Sequence, residues 1–356
     1  MTELLVGTKK GLFVLQGDPS AARPFSLAAR AFPGDVVEFA IRDPRTGRYF
    51  ASVTSGFYGP RIMFADDPTG DWQQAQGPAF PEGTDTSVER VWAIKPGEAD
   101  GVLYAGVAPA ALFVSTDGGE RWTLNEALWS ERHAGDWQPG AGGLALHSIC
   151  PWPGDPNRLA IGISAAGVWI TEDAGATWRT GYPGLVPLYM PEEQRADTNV
   201  LCVHNMHRAP IRPERLFLQF HGSVYRSDDE GASWIDIAEG LPSGFGFPMT
   251  LDPADPDSAY VIPLVGAEDR VTPDAKVRVY ATRDAGGSWS ACENGLPDRE
   301  AYLTILRQAF DHEGEGASLG LYFGATSGDV FGSPDAGATW FSVHERLAPV
   351  TSVRVA

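Results

Sequence analysis

The sequence predicts an all-β protein, a seven-bladed β-propeller of four-stranded antiparallel blades. Three observations lead to this prediction: an eight-residue motif recurs at a nearly constant period, each period contains four short apolar runs, and the two chain ends complement each other. A repeat of about 50 residues is typical of propellers and solenoids, in which each repeat forms one supersecondary unit. The chain of 356 residues has a suitable length for one closed all-β domain.

The recurring motif has the form Ser/Thr-x-Asp-x-Gly-x-x-Trp, and we call it the aspartate motif. It first occurs at residues 115–122 and recurs four times, and a degenerate form ending at Trp72 precedes it. Its aspartates, separated by 56, 56, 55 and 51 residues, are Asp117, Asp173, Asp229, Asp284 and Asp335. We interpret the motif as structural, because the carboxylate can accept hydrogen bonds within a turn and the glycine permits a positive φ. The alternative, a catalytic role, would require the same chemistry in five blades.

Residues 144–182 show most clearly how one repeat is built. The runs LALHSIC, LAIGIS, VWITE and TWRTG are separated by turn clusters, which is typical of four consecutive antiparallel strands. Residues 200–236 repeat the pattern. A blade of this kind has two apolar faces, so it needs neighbours on both sides to bury them.

The repeats also predict the blade boundaries and the closure of the ring. We expect one domain over residues 1–356, in which blades 2–7 end near residues 78, 126, 182, 238, 293 and 346. The N-terminal segment lacks a first strand, and the C-terminal segment is one strand without partners. We therefore expect residues 350–356 to complete blade 1 with residues 3–31, which removes exposed sheet edges.

Composition limits the classes of partner and the compartment. The net charge of −19 argues against nucleic acid and anionic membranes as partners, although acidity also simply favours solubility. Three cysteines, Cys150, Cys202 and Cys292, are an odd number without close pairing, so we expect reduced thiols. The sequence enters its first strand without an apolar targeting segment, which leads us to expect a cytoplasmic protein.

The aspartate motifs resemble the BNR/Asp-box repeats of sialidases, sortilin-type domains, some xyloglucanases and photosystem-assembly factors. The resemblance covers residues 60–345, and the whole chain is similar to bacterial proteins described as sialidase-like or as BNR-repeat glycosyl hydrolases. The resemblance implies a propeller and a carbohydrate-active protein. The same repeat occurs in enzymes and in binding proteins, so it does not itself select an activity.

Two sialidase features are absent from the sequence. The resemblance implies an early Arg-Ile-Pro segment that supplies one of three substrate-binding arginines, but the nearest match is Arg61-Ile62-Met63. It also implies a tyrosine nucleophile paired with a glutamate, and Tyr302 follows Glu300 without any further mark of such a pair. We therefore expect no true sialidase activity.

Topology predicts the face that holds a ligand. The aspartate motifs occupy the turns between third and fourth strands, whereas three long insertions, at residues 124–143, 181–199 and 265–276, fall on the opposite face. Long loops on a rigid scaffold commonly carry function. We expect a central pocket on that face. Its candidate aromatic ligand-binding residues are Trp137, Tyr189 and Phe247.

Histidines are the leading candidates for chemistry in this pocket. His147 and His204 occupy the same register, each twelve residues before the leucine that opens the second strand of its blade. His221 ends the second strand beside His204, and we expect it diagonally across from that residue. Three imidazoles suit a divalent metal, the one cofactor that the sequence suggests, or proton transfer. The alternative is that the histidines form hydrogen bonds between blades.

Charged residues in other first strands complete the candidate site. Glu89 and Arg90 open one such strand, and Arg307 lies in the run YLTILRQAF, which we interpret as another. Arg299 and Tyr302 lead into that run and are further ligand-binding candidates. A charge in an apolar strand is costly unless it is paired or faces a wet channel. With His147 and His204, we hypothesise that Glu89, Arg90 and Arg307 are catalytic; the alternative is that the charges brace adjacent blades.

Three functions from different classes fit these features. The first is a glycosyl hydrolase-like, carbohydrate-active enzyme that binds a small molecule or carbohydrate in the pocket. The second is a non-catalytic binding or assembly scaffold with a protein partner. The third is a metal-dependent lyase that uses the histidines. Glycoside hydrolysis requires a pair of carboxylates, and the sequence alone does not identify the pair.

Overall fold

The computed structural model describes residues 1–20 and 25–356, and it contains seven four-stranded antiparallel sheets. The predicted seven-bladed β-propeller is therefore confirmed. Residues 21–24 of the predicted first blade lie outside the described residues.

The strands of each blade follow in sheet order. Blade 1 contains β28 (Val350–Val355), β1 (Thr2–Thr8), β2 (Gly11–Gly17) and β3 (Phe25–Ala31). Blade 2 contains β4 (Val36–Arg42), β5 (Tyr49–Ser55), β6 (Gly59–Ala65) and β7 (Gln73–Gln74). Blade 3 contains β8 (Arg90–Pro96), β9 (Leu103–Ala108), β10 (Ala111–Ser115) and β11 (Thr123–Leu124). Blade 4 contains β12 (Leu146–Trp152), β13 (Asp155–Ile163), β14 (Gly167–Thr171) and β15 (Arg179–Thr180).

The remaining blades have the same order. Blade 5 contains β16 (Val203–Arg208), β17 (Leu216–Phe220), β18 (Val224–Ser227) and β19 (Ile235–Asp236). Blade 6 contains β20 (Gly246–Asp252), β21 (Asp255–Pro263), β22 (Val279–Thr282) and β23 (Ser290–Cys292). Blade 7 contains β24 (Phe310–Glu313), β25 (Gly320–Gly324), β26 (Val330–Ser333) and β27 (Phe341–His344).

Short helices lie between strands. The helix α1 spans Glu126–Ala134, and 3-10 turns span Glu192–Gln194, Thr198–Val200, Pro273–Ala275 and Gly316–Ser318. The side chain of Asn125 caps α1 by accepting a hydrogen bond from the Leu128 amide. None of the helices in the described part of the chain is long and apolar enough to cross a membrane.

The chain divides into two compact units. One comprises Met1–Ala51, Ala65–Asp71 and Ile237–Ala356, and the other comprises Ser52–Phe64 and Trp72–Asp236. We call them the terminal unit and the central unit.

The terminal unit contains the closure of blade 1. Strand β28 pairs antiparallel with β1, with Val353 opposite Val6 and Arg354 opposite Leu5. Gly7 of β1 is required by this packing, because a Cβ atom there would approach the carbonyl oxygen of Val37 to 2.7 Å. The predicted pairing of the C-terminal strand with the N-terminal strands is thus confirmed, and fully buried apolar side chains such as Val353 hold it in place.

The central unit contains three complete blades whose first strands share an irregularity. The antiparallel register shifts between Val91 and Ala93 in β8, between Leu146 and Ser148 in β12, and between Val203 and Asn205 in β16. Each shift is a β-bulge, which re-aims the side chain of the extra residue. The residues inside the bulges are Trp92, His147 and His204.

Candidate functional site

The aspartate motifs form closed turns of hydrogen bonds. In blade 5, Asp229 accepts hydrogen bonds from the Ser227 hydroxyl at 2.8 Å, the Ser233 amide at 2.8 Å and the Ser233 hydroxyl at 2.6 Å. The Ser227 hydroxyl in turn accepts the Gly231 amide at 2.8 Å. The other motifs share the bond between the first hydroxyl and the carboxylate, at 2.8–2.9 Å, through Asp117, Asp173, Asp284 and Asp335.

These hydrogen bonds also favour the ionised form of the motif carboxylates. In blade 4, hydrogen bonds from the hydroxyl and amide of Thr177 and the hydroxyl of Thr171 hold the pKa of Asp173 below its usual value. The motif lies in the turn between third and fourth strands, at the opposite end of the blade from the start of the first strand. Its carboxylates therefore belong to the turn and lie at the other end of the blade from the residues described next.

A cleft of about 470 Å³ opens in the central unit at the start of β8. Glu89 and Arg90 lie at its edge, Trp92 occupies the bulge beside them, and Arg132 and Trp137 come from α1 and the segment after it. The other lining residues are Ala108, Pro109, Gln138, Pro139, Gly142, Gly143, Leu144 and Ala145. The structure thus brings the predicted residues Glu89, Arg90 and Trp137 together in one cleft.

Both arginines of the cleft lie against indole rings. The guanidinium carbon of Arg90 is 4.8 Å from the ring centre of Trp92, and that of Arg132 is 4.5 Å from the ring centre of Trp129. Arg132 also donates a hydrogen bond to the carbonyl oxygen of Ala110 at 3.3 Å. Partial burial lowers the pKa of Arg132, although an arginine remains protonated at neutral pH. The cations are therefore held in place by stacking before any ligand arrives.

Trp137 forms an apolar wall of the cleft. It is buried, with 7% of its surface exposed, and its ring centre lies 5.1 Å from that of Trp169 in β14. Two cations outnumber the one carboxylate, Glu89, among the described lining residues, so together with the indole wall they suit the cleft to a ligand that has both a ring and a negative charge.

A second group of side chains lies at the corresponding end of blade 5. Ligand atoms of Cys202, His204 and His221 all lie within 4.8 Å of one another. The Nδ1 atom of His221 is 3.3 Å from the Nε2 atom of His204, and the two rings meet edge to face. The predicted proximity of His204 and His221 is found, but the third member of the group is Cys202 rather than His147.

His147 is instead held by its own neighbours. Its Nε2 atom lies 2.9 Å from the carbonyl oxygen of Val203 in the next blade, and its Nδ1 atom lies 3.0 Å from the hydroxyl of Ser148. The residue is 2% exposed. This geometry corresponds to the alternative in which a histidine joins two blades by a hydrogen bond.

Tyr189, from the 181–199 insertion, covers the group in blade 5. Its ring centre lies 4.3 Å from that of His221, and its hydroxyl accepts a hydrogen bond from the Cys202 amide at 3.1 Å and donates one to the carbonyl oxygen of Val200. Burial raises the pKa of the Tyr189 phenol well above its usual value, so the hydroxyl keeps its proton. Tyr189 thus belongs to the surroundings of Cys202 and His221.

The other predicted site residues belong to the terminal unit. Phe247 is buried, and the guanidinium carbons of Arg270 and Arg307 lie 5.4 and 5.7 Å from its ring centre. Arg299 is exposed, and Tyr302 is 67% exposed. The structure groups Phe247 with Arg307.

The interpretation of YLTILRQAF as a first strand is wrong over most of its length. Strand β24 begins at Phe310, and part of the preceding run forms hydrogen bonds outside blade 7. The Leu303 carbonyl accepts the Thr272 amide at 3.1 Å, and the Gln308 carbonyl accepts the Val353 amide at 3.0 Å. An apolar run whose backbone groups are hydrogen-bonded in this way has the same pattern of apolar residues as a buried strand, so the sequence alone does not distinguish the two.

Sequence reasoning missed three side chains of these groups. Arg132 follows Trp129 by three residues on one helix face, a spacing that places a cation over an indole. Cys202 precedes His204 by two residues, which in extended backbone puts both side chains on one side. Trp92 gave no signal, because its position in a bulge depends on the register with β9.

No family model and no curated protein matches this chain. Among solved structures, an ancestral GH74 enzyme matches with a TM-score of 0.58 and 16% identity over 90% of this chain and 38% of the enzyme. This chain thus spans well under half the length of that enzyme. YCF48 from Cyanidioschyzon merolae matches with a TM-score of 0.55 and 13% identity over 86% of this chain and 84% of that protein. A structure of YCF48 bound to D1 peptide matches with a TM-score of 0.52 and 12% identity, over 85% and 84% of the two chains. Identities this low establish the shared propeller fold and no activity.

Proposed function

We propose that the protein binds an acidic carbohydrate in the cleft of the central unit, as a carbohydrate-active propeller of the BNR/Asp-box type. The observation that supports this proposal is the presence of Arg90, Arg132, Trp92 and Trp137 in a single cleft. Its volume of about 470 Å³ falls in the range of roughly 300–1,000 Å³ that is usual for small-molecule sites.

Each component of the cleft matches one part of such a ligand. The partly exposed indole of Trp92 offers apolar surface to the C–H face of a sugar ring, and the buried Trp137 backs the cleft. Guanidinium groups bind carboxylates through paired, charge-assisted hydrogen bonds, and this pairing favours a sugar acid over a neutral sugar. Because Arg90 and Arg132 are already stacked on indoles, less conformational entropy is lost when the ligand binds.

Glu89 limits the chemistry that the cleft supports. Glycoside hydrolysis ordinarily uses two carboxyl groups on either side of the scissile bond. Among the lining residues, all of which lie in the described part of the chain, Glu89 is the single carboxylate. Binding of an acidic carbohydrate is thus the function that the cleft supports, and hydrolysis would require a second acid supplied by the ligand.

An assembly scaffold is the second candidate, favoured by an exposed aromatic pair in the turn between β5 and β6. Phe57 is 95% exposed and Tyr58 is 76% exposed, and exposed aromatic side chains are enriched where proteins bind one another. For this function, a protein partner that is retained by the wild-type chain should be lost by the Phe57→Ser/Tyr58→Ser double variant. That variant should bind sugars as the wild type does.

The first candidate is tested with cleft variants and calorimetry. We expect Arg90→Gln and Arg132→Gln each to weaken binding of a glucuronic acid oligosaccharide by about tenfold or more, since a hydrogen bond to a charged group contributes about 1.5–3 kcal/mol. Arg346→Gln is the matched control, because its side chain is 89% exposed and lies outside the cleft. The proposal would be refuted if Arg90→Gln and Arg132→Gln bound the oligosaccharide with the same affinity as Arg346→Gln.

A further inference from the structure

We propose that Cys202, His204 and His221 form a binding site for a borderline-soft divalent cation, best matched by Zn²⁺. The site is separate from the carbohydrate cleft, since none of its three residues lines that cleft.

Backbone geometry brings the three side chains together. His204 occupies the bulge at the start of β16, and Cys202 precedes it by two residues. His221 directly follows β17, and its amide donates a hydrogen bond to the Cys202 carbonyl at 3.0 Å. The start of β16 and the end of β17 are adjacent in the sheet, and the bond between Cys202 and His221 continues this pairing by one step, so it holds both residues beside His204.

The distance between the imidazoles suits tetrahedral coordination. With zinc–nitrogen bonds of about 2.0–2.1 Å, two nitrogens of a tetrahedral site are about 3.3 Å apart. The His204 Nε2 and His221 Nδ1 atoms are 3.3 Å apart. The Cys202 sulfur lies no more than 4.8 Å from either nitrogen, and a zinc–sulfur bond of about 2.3 Å requires a separation of about 3.6 Å, so the sulfur must move slightly inward when the ion binds.

The donor types select the class of ion. One thiolate and two imidazoles suit zinc and other borderline or soft ions, whereas calcium and magnesium require oxygen ligands. Within residues 1–20 and 25–356, no fourth histidine, cysteine or carboxylate joins the group. Three protein ligands leave one position for water or a ligand, as in zinc sites that act on substrates.

Tyr189 does not bind the ion itself but contacts two of the residues that would bind it. Its hydroxyl accepts the Cys202 amide, and its ring lies 4.3 Å from that of His221, so it restrains two of the three ligands. Groups that orient metal ligands commonly change metal affinity by about 10–100-fold when they are altered. Tyr189 is therefore a positioning residue for the cation.

His147 provides an internal comparison. It has the same register as His204 in the preceding blade, but its Nε2 atom is 2.9 Å from a backbone carbonyl oxygen. A carbonyl oxygen holds the His147 imidazole, whereas the group in blade 5 brings two imidazole nitrogens and a sulfur within 4.8 Å of one another. The rival explanation for blade 5 is a hydrogen bond between two neutral imidazoles, which would need neither the sulfur nor a metal.

The test is metal retention by the intact protein. After incubation with Zn²⁺ and desalting, we expect one Zn²⁺ per chain, and with Co²⁺ we expect the intense sulfur-to-cobalt absorption of a tetrahedral thiolate complex. Cys202→Ser and His221→Gln should lose both signals. The matched controls Cys292→Ser and His344→Gln should keep them.

Circular dichroism of each variant distinguishes loss of the metal site from loss of the fold. The Tyr189→Phe variant alters a positioning residue instead of a ligand. That variant keeps all three ligands, so we expect Zn²⁺ to remain bound but with about tenfold lower affinity in a chelator competition. Two results would overturn the site in favour of the hydrogen-bonded histidine pair. One is a wild-type protein that retains no more Zn²⁺ than the background of the measurement, and the other is retention by Cys202→Ser and His221→Gln equal to that of the wild type.

Discussion

At the scale of single residues, the aspartate motif explains why one octapeptide recurs in the sequence. Its hydroxyl lies two residues before the aspartate, and its last amide lies four residues after it, so every bond of the turn is local. Asp229 accepts three such hydrogen bonds, two of them at 2.8 Å. Local bonds of this kind are readable from sequence, which is why the motif was correctly located.

Replacing the carboxylate of one motif should reduce stability without affecting ligand binding. For Asp229→Ala we expect the free energy of unfolding to fall by about 1–2 kcal/mol, because three hydrogen bonds are lost in a largely solvated turn. Urea denaturation measures the change. Calorimetry with the acidic oligosaccharide is the control, and a loss of affinity at unchanged stability would show that the carboxylate has a role in binding.

The buried thiol of Cys150 should react slowly with alkylating agents. Burial raises the pKa of the Cys150 thiol to about 11, from an ordinary value of 9.0. At pH 8 this lowers its reactive thiolate fraction by about 100-fold, and labelling should accelerate as the pH rises towards 11. Iodoacetamide labelling of a Cys292→Ser variant, followed by peptide mass spectrometry, measures the rate at Cys150. Equal labelling of Cys150 in the native and urea-unfolded protein would contradict its burial.

At the scale of elements, the first strands show what the sequence could and could not predict. The equal register of His147 and His204 was predictable from repeat spacing, and both residues do occupy bulges. Their different partners were not predictable, because Val203 approaches His147 only through packing between blades. The grouping of Arg90 with Arg132 likewise depends on where α1 packs, which no local pattern specifies.

The cap of α1 should couple helix stability to the cleft. The Asn125 side chain accepts hydrogen bonds from the Leu128 amide at 2.9 Å and from the Trp178 indole at 3.1 Å. We expect Asn125→Ala to cost about 1–2 kcal/mol and to weaken oligosaccharide binding, because Arg132 lies on the same helix. Asn125→Ser keeps a capping oxygen for the helix amide and should lose less. Unchanged stability of the alanine variant in urea would rule out this role of the cap.

At the scale of the whole molecule, the chain ends are joined by the sheet of blade 1. The repeat count and the unpartnered terminal strand were sufficient to predict this pairing. The strand β28 places Val350 and Val353 in the core with no exposed surface. The prediction succeeded because strand number and edge pairing follow from the repeat alone, whereas side-chain groupings do not.

Removal of residues 350–356 should therefore destabilise the protein severely. Burial of one valine contributes about 1.5–3 kcal/mol, so loss of two buried valines and a ladder of hydrogen bonds should exceed about 3 kcal/mol. Thermal melting and light scattering measure the effect, because an exposed strand edge also favours aggregation. A truncated protein with the melting temperature and solubility of the full chain would contradict the importance of this pairing.

The most direct test of the proposed function compares two ligands that differ only in charge. Calorimetry should use a glucuronic acid oligosaccharide and its carboxyl-reduced counterpart, at low and high salt. We predict that the acid binds at least about tenfold more tightly and that salt narrows the difference, because the two arginines recognise the carboxylate. Equal affinity for both ligands, or no binding of either, would contradict an acidic carbohydrate as the ligand of this cleft.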